Sequence, residues 1–207
     1  MQSLKVSVLI SGSGTNLEAL LAAIEKEALP ISVVQVISSK GDAYGLVRAR
    51  KHGIPCRVLS SSPDAPELAD WLKEYSTDLV VLAGYLKKVP DEVLAAYENR
   101  IINIHPSLIP AFAGPGWYGT KVHEGVWKRG VKVTGATVHF VNDEMDAGPI
   151  ILQEALKLED NDRPEDIQQK VLELEHQLLP RAVALFAAGH IKVNHGRTMI
   201  MNEGEHR

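Results

Sequence analysis

The sequence predicts an α/β fold: an open, mostly parallel twisted sheet flanked by helices, with an antiparallel strand extension toward the C-terminus. Three observations carry that prediction. The apolar run LVVLA at 79–83 lacks the polar alternation of a half-exposed strand and reads as buried on both faces. Helical patterns separate such runs through the first half of the chain, which is the order of βαβ units with right-handed crossovers. Beyond residue 130 two strand-like runs follow one another with no helix between them, as an antiparallel pair does.

The elements follow in order. Val6–Ile10 is a strand and Leu17–Lys26 an amphipathic helix. Val33–Ile37 is the next strand, with a helix at Tyr44–His52. Arg57–Leu59 is a short strand, Pro66–Tyr75 a helix, Leu79–Ala83 a strand and Pro90–Glu98 a helix. Ile101–Ile104 is a buried strand that stops at Pro106. Pro110–Gly119, rich in Gly, Pro and aromatics, reads as a long loop before a helix at Lys121–Arg129. Val131–Val141 alternates faces, and Pro149–Leu156 is its expected antiparallel neighbour. Arg163–Ala188 is helical, with a kink or break expected at Pro180. Residues 1–189 read as one domain and the polar segment 190–207 as a peripheral, frayed tail.

Composition narrows the class of protein. The 207 residues are 45% apolar and 23% charged, which suits a globular chain with a substantial core. A net charge of −4 argues against a nucleic-acid surface. Cys56 is alone, so no internal disulfide forms and a reducing compartment is expected. The opening MQSLKVSVLI is too short and strand-like for a signal peptide, and no apolar run approaches the ~20 residues of a membrane span. The expectation is a cytoplasmic protein acting on small molecules, without membrane or nucleic-acid partners.

Chemistry concentrates at four places. Asn103 and His105 lie two apart at the carboxyl end of a buried strand, hence on one face and beside the ligand crevice of an open α/β sheet. Spacing alone leaves structural roles equally open; the position favours an amide donor for an oxyanion beside a proton carrier. Asp146, in NDEMDAGP, is the carboxylate that would orient and charge His105, although three acids together also suit a solvated turn or a cation. Thr137 and His139 share one face of their strand, with a supporting role and an ordinary sheet histidine both open. Ser11-Gly12-Ser13-Gly14-Thr15-Asn16 joins the first strand to the first helix. It lacks the third glycine and the acidic partner of a dinucleotide site, and the Gly-Lys of a P-loop, so a monophosphate is expected; a plain turn capped by Thr15 or Asn16 is the alternative. Leu86, Lys87, Lys88 and Val89 border the same crevice, with Leu86 and Val89 as an apolar slot and the lysines near an acidic tail or simply in a charged loop.

These segments together resemble the folate-dependent formyltransferase family. The markers are LISGSGTNLEAL, DLVVLAGYLKKVP, INIHPSLIPAF, GATVHFVNDEMDAGPIILQ and the LEH of the last helix, and they span nearly the whole chain. The resemblance implies a Rossmann-like formyltransferase fold and transfer of a formyl group from 10-formyltetrahydrofolate to the amine of phosphoribosylglycinamide, with no metal. It implies Asn103, His105 and Asp146 as the catalytic trio, and Gly14, Thr15 and Asn16 at the substrate phosphate. It places Glu175, otherwise a plain helical surface residue, at the glycinamide, and Leu86–Val89 with the backbone from Val141 at the folate. The chain departs from the family at Ser60–Glu67, which offers no arginine for the folate tail. Alternatives are a 10-formyltetrahydrofolate hydrolase, another formyltransferase, or a nucleotide-binding module without chemistry; a monomer and a homodimer are both compatible.

Overall fold

A computed structural model describes residues 3–60 and 65–201. It is an α/β fold with a seven-stranded, mostly parallel sheet flanked by helices, and a separate two-stranded antiparallel ribbon. The chain divides into two compact units, Met1–Asn103 and Ile104–Arg207.

The first unit alternates strand and helix: β1 (Leu4–Ile10), α1 (Thr15–Lys26), β2 (Ile31–Ser38), α2 (Tyr44–Lys51), β3 (Cys56–Val58), α3 (Glu67–Glu74), β4 (Leu79–Leu82), α4 (Asp91–Ala96) and β5 (Ile101–His105), the last leading out of it. Every strand pair here is parallel, in the order β3-β2-β1-β4-β5. The burial predicted for the apolar runs is found: Val8, Leu9, Ile10, Leu79, Val80, Val81, Ile101 and Ile102 are essentially inaccessible. One polar cluster interrupts this core. Ser7 Oγ and Thr77 Oγ1 are 2.7 Å apart, and the Gln35 amide donates to Ser7 Oγ at 3.0 Å and to the Trp71 carbonyl at 2.9 Å. The β1–β2 register shifts between Val6 and Ser7, which brings Gln35 opposite Ser7.

Parallel strands bring the loops after β1, β2 and β4 to one edge, where they are cross-linked. Ser11 Oγ meets Ser39 Oγ at 2.6 Å and accepts from the Leu86 N–H at 2.9 Å. α1 begins at Thr15 with Gly14 in the cap position, left-handed at φ 70°, so neither Thr15 nor Asn16 caps it.

The second unit holds α5 (Thr120–Arg129), β6 (Val133–Phe140), β7 (Ile150–Lys157), α6 (Pro164–Ala187), β8 (Ile191–Asn194) and β9 (Arg197–Ile200). β6 and β7 pair antiparallel, as the sequence predicts. α6 packs on both strands and on α5, burying Ile167, Val171, Leu178, Leu179 and Val183. No helix among the described residues is long and apolar enough to cross a membrane.

Two expectations are corrected. The break allowed for at Pro180 does not occur: α6 continues through this residue, which is buried inside it. Apolar contacts on both sides of the proline outweigh the one lost backbone hydrogen bond. The tail does not fray from residue 190: β8 and β9 form an antiparallel ribbon around His195 and Gly196, whose φ angles of 48° and 71° suit a tight two-residue turn. The Thr198 hydroxyl donates to the Ile150 carbonyl and ties the ribbon to β7. Residues 202–207 and Ser61–Asp64, the latter within the stretch lacking an arginine, lie outside the described residues.

Candidate active site

β5 is built from three buried isoleucines, with half-buried Asn103 and buried His105 at the two intervening positions nearest its end. Alternation along the strand turns Asn103 and His105 to one face. Pro106 cannot donate to a ladder, and the strand stops there.

The His105 ring is gripped at both nitrogens. Nε2 lies 2.9 Å from the Phe112 carbonyl, which only accepts, so Nε2 carries a proton. Nδ1 faces Asp146 Oδ2 at 3.5 Å, outside good hydrogen-bond range but well within electrostatic reach. Asp146 itself sits in a left-handed conformation at φ 54°, and its Oδ2 accepts from the Gly114 N–H at 2.9 Å. Its Oδ1 stands 3.8 Å from His139 Nε2. Carboxylate and imidazole, forty-one positions apart in the chain, thus converge within the second unit.

The neighbouring groups brace this pair. His139 is buried and its Nδ1 donates to the Phe140 carbonyl at 2.8 Å. Burial pushes its imidazole below the usual range, with the Phe140 bond and Asp146 pulling back and His105 adding to the depression. Thr137 is fully buried; its hydroxyl donates to the Ser107 carbonyl at 2.6 Å and accepts from the Ile109 N–H at 3.2 Å and Gln153 at 2.9 Å. It therefore pins the turn that follows His105. Val141 is half-buried just beyond β6.

His123 was not among the residues the sequence singled out. It lies on α5 between Val122 and Val126, inside the core, and burial together with nearby His105 pushes it down to about 4. Its sequence signal was an ordinary amphipathic helix position, which carries no hint of a second imidazole. Phe112 and Gly114 were equally invisible, because they act through backbone atoms.

In the first unit, Gly14 is conformationally required. A β-carbon there would stand 2.5 Å from the Gly45 α-carbon, and Gly45 N–H donates to the Gly12 carbonyl at 3.0 Å. Arg48 Nε donates to the Ser13 carbonyl at 3.0 Å and its Nη1 pairs with Glu18 at 3.2 Å. The loop is thereby preset at the N-terminus of α1, with Thr15 opening the helix and Asn16 buried in its first turn. At the β4–α4 loop, Leu86 is 53% exposed whereas Val89 is only 4% exposed, so Leu86 offers the apolar surface and Val89 supports it from within. Lys87 Nζ donates to the Ser60 carbonyl at 3.3 Å, and Lys88 pairs with Asp91 at 2.8 Å. Glu175 on α6 is buried rather than a plain surface residue. Among the described residues no cluster of three His, Cys, Asp or Glu is arranged to hold a metal ion.

Comparison with known proteins adds an independent line. The model of the formyl transferase family matches residues 4–183. The chain is 40% identical over 195 residues to the chloroplastic phosphoribosylglycinamide formyltransferase of Arabidopsis thaliana, covering 91% of this chain and 67% of that protein. It spans 59% of the protein of the same name from Vigna unguiculata. It is 36% identical to the phosphoribosylglycinamide formyltransferase of Escherichia coli, covering 92% and 91% of the two chains. The crystal structure of glycinamide ribonucleotide transformylase 1 from Symbiobacterium toebii superposes with a TM-score of 0.91 at 42% identity, over 97% of this chain and 95% of that one. A formyltetrahydrofolate deformylase from Pseudomonas syringae is similar in fold at 28% identity and a TM-score of 0.88, with 97% of this chain matching 67% of that one.

Proposed function

The chain belongs to the formyl transferase family, and from that premise we propose that it moves a formyl group from 10-formyltetrahydrofolate to the amine of phosphoribosylglycinamide, a step of purine biosynthesis, in the cytoplasm. The observation that carries the reading is the His105–Asp146 pair, 3.5 Å apart and largely shielded from water. No serine or cysteine nucleophile accompanies it among these contacts, which suits direct attack by the amine on the formyl carbon.

In that reading the amine nitrogen bonds to the formyl carbon and the formyl oxygen becomes anionic. Asn103 donates a hydrogen bond to that oxygen and the charged His105 ring shares its negative charge. Asp146 sustains the charge on His105. As the carbon–N10 bond breaks, the proton lost by the amine passes to N10, which leaves as tetrahydrofolate. Gly14, Thr15 and Asn16 take the substrate phosphate at the helix N-terminus, where backbone amides and the dipole favour an anion. Glu175 meets the glycinamide end. Leu86–Val89 and the backbone from Val141 receive the folate, whose rings suit the exposed apolar surface of Leu86.

The test is direct: supply both substrates and follow tetrahydrofolate release together with formylated glycinamide. Release that needs phosphoribosylglycinamide supports the transferase. Equal release without it, as a deformylase would give, sinks the reading.

A further inference from the structure

The segment between Pro106 and α5 holds both members of the His105–Asp146 pair through its backbone. The Phe112 carbonyl accepts from His105 Nε2, and the Gly114 N–H donates to Asp146 Oδ2, each at 2.9 Å. Ser107 steadies the same turn, its hydroxyl donating to the Ala111 carbonyl at 2.6 Å and lying 3.3 Å from that of Phe112. A carbonyl is only as well placed as the residue that carries it. Phe112 has φ 51°, a left-handed backbone that a bulky side chain adopts only when its surroundings enforce it.

The enforcement comes from aromatic packing on a bare helix position. The Phe112 and Trp117 rings meet edge to face, with centroids 5.2 Å apart and planes at 90°. Trp117 in turn lies against Gly125, inside α5. A β-carbon on Gly125 would stand 2.2 Å from Trp117 Cζ3, 2.7 Å from its Cη2 and 3.2 Å from Phe112 Cδ1. Glycine inside a helix is less stable than alanine, so this position gives up helix stability to seat the ring.

We propose that Trp117, seated on Gly125, is a positioning residue for His105. It holds Phe112, whose carbonyl keeps one imidazole proton on Nε2 and leaves Nδ1 turned to Asp146 for the proton traffic. The kinetic consequence rests on the formyl-transfer reading above; the consequence for the imidazole tautomer does not. The ring acts through Phe112.

The experiment compares the wild type with Gly125→Ala, Trp117→Ala and Trp117→Phe. Nitrogen NMR of the histidine-labelled full chain reads the His105 tautomer, and steady-state kinetics read kcat and KM. In the pH range where the ring carries one proton, the expected wild type is a single Nε2–H form, the second proton of the charged ring belonging on Nδ1 against Asp146. Gly125→Ala and Trp117→Ala should show both tautomers in exchange, with kcat down about ten- to hundredfold and KM for phosphoribosylglycinamide unchanged. In Gly125→Ala the better helix residue partly offsets the displaced ring, so thermal melting near the wild type with kcat well below it separates lost positioning from lost stability. Trp117→Phe should restore much of both signals. Unchanged tautomer and kcat in Gly125→Ala and Trp117→Ala would overturn the proposal. A wild type that shows the tautomer pattern yet transfers no formyl group would refute the activity alone.

Discussion

Two loops, each following a parallel strand, are built on opposite principles. The Ser11–Gly14 loop after β1 is short and made of backbone: Gly14 lies against Gly45, and Arg48 holds the Ser13 carbonyl. The segment from Pro106 to Gly119 after β5 is long and braced by groups from β6, α5 and the loop carrying Asp146. The difference teaches where precision comes from. In the proposed reading the first loop holds an anion, which takes amides at a helix end that neighbouring residues supply. Handling a proton takes an imidazole and a carboxylate at fixed separation, which only distant segments can bring together.

The comparison is broken most severely by removing the proton chemistry while sparing the glycine loop. Asn103→Ala or His105→Ala should lower kcat by about 10²–10³-fold, some 3–4 kcal/mol of transition-state stabilisation. Calorimetric affinity for phosphoribosylglycinamide should stay near the wild-type value. Loss of binding in step with kcat would mean the two loops do not divide the labour.

Acid sharpens the comparison next, since the braced region buries an imidazole and the glycine loop does not. His123 is depressed from its ordinary 6.5 to about 4, so between those values the unfolded chain binds the extra proton and stability rises with pH. Its contribution is therefore intact above pH 6.5 and fades as pH falls toward 4, by up to ~3 kcal/mol. Urea melts at pH 7 and pH 5 should show His123→Gln losing less stability than the wild type over that interval.

Gly14→Ala attacks the other loop. Its left-handed backbone alone costs ~1–2 kcal/mol for a residue with a β-carbon, before the 2.5 Å clash with Gly45 is added. KM for phosphoribosylglycinamide should rise about tenfold or more, with kcat at saturation largely kept. The smallest effect is expected from Thr137→Val, which strips the hydroxyl from Ser107, Ile109 and Gln153. It should cost ~1–3 kcal/mol by thermal melting and lower kcat less than His105→Ala.

Much of this was legible beforehand. Continuous apolar runs such as Leu79–Leu82 can only be buried strands, and their spacing by helices leaves a parallel sheet. Strand β5 announces Asn103 and His105 because period two and a terminating proline are local properties. Pro180 does not break α6, because a proline's cost is local whereas the packing that retains it there is not. The ribbon after residue 190 was missed because its strands are only four residues each and half of those residues are polar.

By itself the sequence determined the order of strands and helices as far as α6, the glycine loop and the strand ends at which Asn103 and His105 emerge, since each depends on neighbours a few residues away. Only the tertiary structure decided that Asp146 turns toward His105, that the Phe112 carbonyl takes the ring's other nitrogen, and that His123 is buried beside them. Those placements arise from packing between segments distant in the chain, and no local periodicity encodes them.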